Sequence, residues 1–190
     1  MRPTEELRNE HRAILRVLDI LQSVAARLET PSEPVEAEDL AQMVEFIRVF
    51  ADQCHHGKEE DLLFPAMEAA GIPREGGPIG VMLEEHNIGR QYVRGMAEAV
   101  NGYRTGEPHA GHAFAQNAKA YRDLLSQHIN KEDNILYMMA DMHLEPETEK
   151  ELLQAFERVE QERIGPGRHE AFHELLDCLE ERYLGRRHQN

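Results

Sequence analysis

Six residues of this 190-residue chain have the types and spacing needed to hold cations: His11, His55, Glu59, His86, His128 and Glu132. His55 with Glu59, and His128 with Glu132, have the form His-x-x-x-Glu, which on a helix sets an imidazole and a carboxylate one turn apart on one face. Each His occupies a place in an apolar stripe where a core Leu would be expected. Burying four imidazoles and two carboxylates together without a partner would cost several kcal/mol in desolvation and like-charge repulsion. A bound cation removes that penalty. Six nitrogen and oxygen donors exceed what one tetrahedral zinc ion uses and suit two metals, each held by two His, with both carboxylates bridging. Imidazole and carboxylate without thiolate point to iron, two per chain, with zinc or manganese compatible by ligand type.

The elements that must position these donors are legible from turn signals and apolar periodicity. Gly- and Pro-rich segments at 30–39, 71–80, 105–111, 144–148 and 164–167 cut the chain into six helix-length pieces with no convincing strand. The first piece carries Leu7, His11, Ile14, Leu18, Leu21, Ala25 and Leu28 at steps of three and four. The second places Ala51, His55, Glu59, Leu62 and Ala66 on one face, with Pro65 kinking or ending it near Ala70. The third runs through Met82, His86, Gly89 and Val93, and the fourth through Leu125, His128, Glu132, Ile135, Met139 and Met142. The expected architecture is all-α: an up-down-up-down four-helix bundle over residues 1–145, with two additional C-terminal helices as an appendage over 146–190. In the last of these, Leu175, Leu176, Leu179 and Tyr183 form the apolar side.

The bundle reads as one αα-hairpin used twice. HHGKEEDLLFP at 55–65 parallels HINKEDNILYM at 128–138, and EHR at 10–12 parallels EHN at 85–87. The spacing from His11 to His86 matches that from His55 to His128 to within two residues. Residues equidistant from the turn of an antiparallel pair lie at similar heights. His11 and His55 are centred on the first turn, Glu59 and His86 on the second, and His86 and His128 on the third, so all six donors are expected in one layer.

Neighbouring candidates are assigned by the same periodicity. His56 follows Asp52 and Gln53 rather than the apolar Ala51 and Ile47, so His56 and Glu60 are expected to support the cage from outside or face solvent. Glu10, Glu85 and Glu60 are candidates to orient imidazoles. Tyr121 is expected in the core, His169 and His173 on the surface, and Cys54 as a small core or interface residue. Cys54 and Cys178 are the only cysteines and lie in no CxxC spacing, which argues against a disulfide scaffold and a thiolate zinc site.

The four His and two His-x-x-x-Glu clamps resemble the hemerythrin family in the form called the HHE cation-binding domain, over roughly residues 3–143. That resemblance implies a non-haem di-iron centre binding O2, nitric oxide or peroxide. In the O2 carriers the third helix supplies two His one turn apart, whereas here Arg90 follows His86. The pattern is therefore closer to bacterial members with four His and two Glu, among which are proteins implicated in iron–sulfur repair and in handling nitric oxide or peroxide. The alternative is an iron-binding sensor or regulatory module without turnover, in which the C-terminal helices report metal occupancy.

Composition restricts the remaining possibilities. The formal charge of −15 gives no electrostatic support to nucleic-acid or membrane-surface binding. The longest apolar run, 135–140, is far short of a membrane span, and the N-terminal run lacks a signal-peptide apolar region. A cytoplasmic location is expected, with a small diatomic or peroxide as ligand.

Overall fold

The computed structural model describes residues 1–30, 34–165 and 167–185. Six helices and no strand are found among the described residues. Helix α1 (Pro3–Leu28) begins with Pro at its first position, where a missing N–H is tolerated, and the Arg2 amide donates to Glu5 Oε2 at 2.8 Å. Helix α2 (residues 37–69) starts as an α-helix (Ala37–Phe46), widens to π-helix over Ile47–His56 and again over Glu59–Leu63, and ends as Phe64–Ala69. Helix α3 (Pro78–Arg104) follows a turn containing Gly71 at φ +93°. Helix α4 (residues 110–143) is α-helical over Ala110–Lys131, π-helical over Glu132–Leu136 and α-helical over Tyr137–His143. Helices α5 (Pro146–Arg163) and α6 (Arg168–Leu184) complete the chain.

The first four helices pack as a closed ring, α1 on α2, α2 on α3, α3 on α4 and α4 on α1. Residues 31–33, the expected centre of the first turn, Pro166 of the expected last turn and residues 186–190 of the expected appendage lie outside the described residues. Helices α5 and α6 lie against α1 and α2. Phe172, Leu176, Leu179 and Tyr183 are buried in the same apolar cluster as Ile14, Leu18, Phe46 and Phe50 of the bundle. Polar contacts fix the pair further: the Arg16 guanidinium donates to Glu180, and the Tyr183 hydroxyl donates to Asp39 at 2.6 Å.

Two apolar layers bracket the expected donor layer. One contains Ile14, Ala51, Val93 and Leu125; the other contains Leu7, Leu63, Met82 and Leu136. Each of the four His lies one turn from a member of one layer and one or two turns from a member of the other. Every fully buried Leu or Ile there contributes about 1.5–3 kcal/mol, so two such layers can carry a polar layer between them.

The wide π turns correct the periodicity at two places. Past Glu59 the buried residues are Leu63, Phe64 and Met67, not Leu62 and Ala66; past Glu132 they are Leu136, Tyr137 and Ala140, not Ile135 and Met142. Ile135 and Met142 are 54% and 70% exposed. A π turn closes i→i+5 hydrogen bonds and so holds one residue more than a 3.6-residue pattern allows. The inward face advances by one position at each. Helix α2 also continues through Pro65 to Ala69, with the second π segment directly ahead of the ring that lacks an N–H donor.

Candidate metal centre

The bundle brings His11, His55, Glu59, His86, His128 and Glu132 together in one buried layer, each no more than 1% exposed. His11 Nε2 lies 3.2 Å from Glu132 Oε2, and His128 Nε2 lies 3.1 Å from Glu132 Oε1. Glu59 Oε2 lies 3.7 Å from His55 Nε2 and 3.4 Å from His86 Nε2.

His56 joins them, which corrects the expectation that it stands outside or faces solvent. It is 3% exposed, and its ring stacks on His86 at 3.8 Å between centroids. The cause is again the π segment Ile47–His56, whose smaller angular step per residue lets both His55 and His56 turn inward. Two groups of donor atoms result, each with all its atoms within 4.8 Å of one another: His56, Glu59, His86 and His128 in one, and His11, His55 and Glu132 in the other. Helix α3 thus presents one His and Arg90, while α2 presents the fifth imidazole.

Every imidazole in the layer is held from behind by a carboxylate at Nδ1. His11 meets Asp133 at 2.8 Å, His55 meets Glu10 at 2.7 Å, His86 meets Glu60 at 2.7 Å and His128 meets Glu85 at 2.8 Å. His56 and Asp52 make a longer pair at 3.4 Å. Cations hold these carboxylates in turn. Lys58 donates to Glu10 at 2.5 Å, Lys131 donates to Glu85, and Arg90 donates to both Asp52 and Glu60, at 2.8 and 2.7 Å. Such backing fixes the ring orientation and places the proton on Nδ1, leaving the Nε2 lone pair directed inward.

Glu10, Glu85 and Glu60 were recognisable from the sequence as partners of this kind; Asp52, Asp133, the two lysines and Tyr137 were not. The signal for most of them is the internal repeat. A Lys precedes each clamp carboxylate, at Lys58 and Lys131, and an acid follows each, at Glu60 and Asp133. Five residues beyond each clamp carboxylate an aromatic ring stacks on a cage imidazole, Phe64 on His86 and Tyr137 on His11. The repeat differs there by one hydroxyl, and it is used: Tyr137 donates to Glu59 Oε1 at 2.7 Å and sits 3.4 Å from His11 Nε2.

The remaining oxygens are unmatched. Glu59 Oε2 and both oxygens of Glu132 are buried without a hydrogen-bond partner. His86 Nε2 and His128 Nε2 face each other at 3.0 Å, an approach of two lone pairs that requires a proton or a cation between them. The electrostatics of the layer carry the same strain. Burial, with the charges of His56 and His128, pushes His86 down to about 3. Burial also opposes charge on His128, yet the adjacent Glu132 and Glu85 carboxylates lift it to about 9. Burial and the charge of Glu132 push Glu59 well above the carboxylate range. Glu132 itself is held well below that range, because His128 and His11 outweigh its desolvation. Without a metal, protons balance the layer; a cation would take their place.

Other candidates lie outside this layer. His169 and His173 adjoin each other on α6, His169 against Phe50. Glu6, Glu10 and Glu160 approach one another, but the Lys58 ammonium lies among them, 2.8, 2.5 and 3.6 Å away. Cys54 is buried, and desolvation pushes its thiol up to about 12. Tyr121 is buried in the core.

A four-helix bundle with carboxylate-backed imidazoles and orphaned carboxylates at mid-height defines a helical cation-binding protein. Residues 2–140 match the hemerythrin HHE cation-binding domain, and the chain belongs to that family. It is also similar to uncharacterized proteins of Mycobacterium bovis and Mycobacterium tuberculosis, at 25% identity over 161 residues, which is 85% of this chain and 62% of theirs. The chain thus spans less than two thirds of the length of these relatives. No solved structure matches it significantly. No helix among the described residues is long and apolar enough to cross a membrane.

Proposed function

We propose that the layer holds two iron ions and that the protein binds O2, nitric oxide or peroxide there. The observation that carries this reading is the set of three orphaned carboxylate oxygens facing inward-directed Nε2 atoms. The residues fit such a centre: His56, His86, His128 and Glu59 would hold one ion, His11, His55 and Glu132 the other, with Glu59 and Glu132 near enough to both groups to bridge. Nitrogen and oxygen donors without thiolate suit iron, and zinc and manganese are the competing metals.

Iron bound here would supply a reversible one-electron change and a coordination position open to a small exogenous ligand. The chain's own residues do the rest. Five carboxylates hold protons at Nδ1 and keep Nε2 free. The group containing His11 supplies one donor fewer, so an exogenous ligand would find room on that side. There the Tyr137 hydroxyl keeps its proton on Oη, donated to Glu59 Oε1, within reach of a ligand near His11. The buried Leu7, Leu63, Phe64 and Leu136 keep bulk water from one face of the layer.

A second reading, a sensor or regulatory module without turnover, is favoured by the contacts of α5. Arg163 donates to the Gln53 carbonyl at 2.7 Å and to Asp61 at 2.6 Å, across the stretch that carries His55, His56 and Glu59. Elemental analysis of protein produced with iron, with absorption spectra before and after O2, nitric oxide and peroxide, tests the first reading. Two irons and a spectral response are expected. Tight iron binding without turnover, together with altered amide exchange in α5 on metal removal, would favour the module.

A further inference from the structure

The internal two-fold repeat also breaks between α2 and α3, and a cavity occupies that place. Superimposing the halves by their cage imidazoles aligns Gly89 with Ile14, Arg90 with Leu15, Asp52 with Leu125 and His56 with Ile129. Ile14, Leu125 and Ile129 are buried and fill their half solidly. On the other side, between α2 and α3, lies a cavity of about 380 Å3 whose inner wall includes His56. That volume lies at the small end of the range for ligand pockets and exceeds what a diatomic needs.

Its chemistry has two parts. Arg48, Arg90 and Arg94 contribute three guanidiniums against the single carboxylate of Asp52. Arg90 is engaged by Asp52 and Glu60. Arg48 and Arg94 are exposed and make no ion pair or hydrogen bond among the described residues, which leaves two positive charges uncompensated in a chain of net charge −15. The floor is apolar, formed by Ile47, Gly89, Val93, Ala97 and the Tyr121 ring. A neutral diatomic or peroxide needs no guanidinium. A carboxylate on a short hydrocarbon body uses both parts, with its head on planar donors that match its geometry and its body against the floor.

We propose that this cavity is a binding site for a small aliphatic or aromatic monocarboxylate. The assignment stands on the cavity alone and not on metal occupancy. Calorimetric titration of the full chain, metal-free and iron-loaded, with hexanoate, hexylammonium, acetate and inorganic phosphate tests it. Hexanoate is expected to bind both forms more tightly than acetate or phosphate, and hexylammonium not at all. The double variant Arg48→Gln/Arg94→Gln, at exposed positions, should weaken hexanoate binding by about tenfold or more with metal content unchanged. Gly89→Ile copies the filled half; its Cβ would meet Leu125 and Tyr121 at 3.5 Å, an ordinary contact, and because Gly89 lines the cavity the rest of the side chain is expected to occupy it. It should abolish binding. Absence of hexanoate binding at millimolar concentration, equal binding of hexylammonium or phosphate, or unchanged affinity in both variants would overturn the proposal. Protein that binds hexanoate but no iron would sink the metal reading and leave this one standing.

Discussion

Replacing His56 by Ile, the residue that occupies the equivalent position in the other half, separates a metal-ligating His56 from a merely buried one. In metal-free protein His56 is a desolvated imidazole whose protonation burial opposes, stacked on His86 and bonded weakly to Asp52, which keeps Arg90 as its stronger partner. An apolar side chain of similar volume removes a buried polar group and leaves no carboxylate unpaired, so the metal-free variant should be at least as stable as the parent. The iron-loaded variant should lose one donor of the group containing His86, His128 and Glu59. If that weakens the second ion a hundredfold, the stabilisation by metal falls by about 2.7 kcal/mol. For a chain of this length that lowers Tm by roughly 5–11 °C. Thermal melts of metal-free and iron-loaded protein, with iron counted in each, read both effects. A variant that keeps two irons and the parent's loaded Tm would refute the placement of His56 in the cage.

Glu59 and Glu132 each approach imidazoles of both groups, so Glu59→Ala and Glu132→Ala should each lower iron below two per chain with the helices formed; elemental analysis and circular dichroism check this. Acidification should release metal and destabilise the metal-free fold. His86, pushed to about 3, and His55 and His56, both lowered, refuse protons that the unfolded chain accepts below about pH 6.5, so stability falls as pH drops through that value. His128 has the opposite sign: raised to about 9, it stabilises the metal-free fold below pH 6.5 and ceases to as pH rises through 9. Metal must expel its proton, so affinity should climb with pH up to about 9, as a titration with a competing chelator would read. Arg163→Ala should speed metal release severalfold through the loss of the bonds to Gln53 and Asp61, while changes in equilibrium stability stay within about 3 kcal/mol; stopped-flow chelation measures the rate.

Much of this arrangement was legible because the His stripes, the two clamps and the turn spacing constrain one another. His11 between Leu7 and Ile14, or His86 between Met82 and Gly89, can only face the core if the helix is amphipathic at all. The carboxylates at 10, 60 and 85 were legible too, since they adjoin cage residues in sequence. What escaped was anything that depends on the wide turns. A 3.6-residue pattern cannot show that the inward face slips by one residue at 59–63 and 132–136, which exposes Ile135 and Met142 and turns Tyr137 onto His11. Nor can it show that residues 55 and 56 both point inward. Asp133 adjoins Glu132 as Glu60 adjoins Glu59, so the repeat carried its signal; Asp52 escaped because its partner His56 turns inward only through the wide turn.

Two ions are expected to occupy the layer between the apolar clusters. Anomalous diffraction at the iron edge from crystals of the iron-loaded chain tests this directly. Two peaks are expected, one among His56, His86, His128 and Glu59 and one among His11, His55 and Glu132. A layer without a peak, or a peak only at Glu6, Glu10 and Glu160, would contradict it.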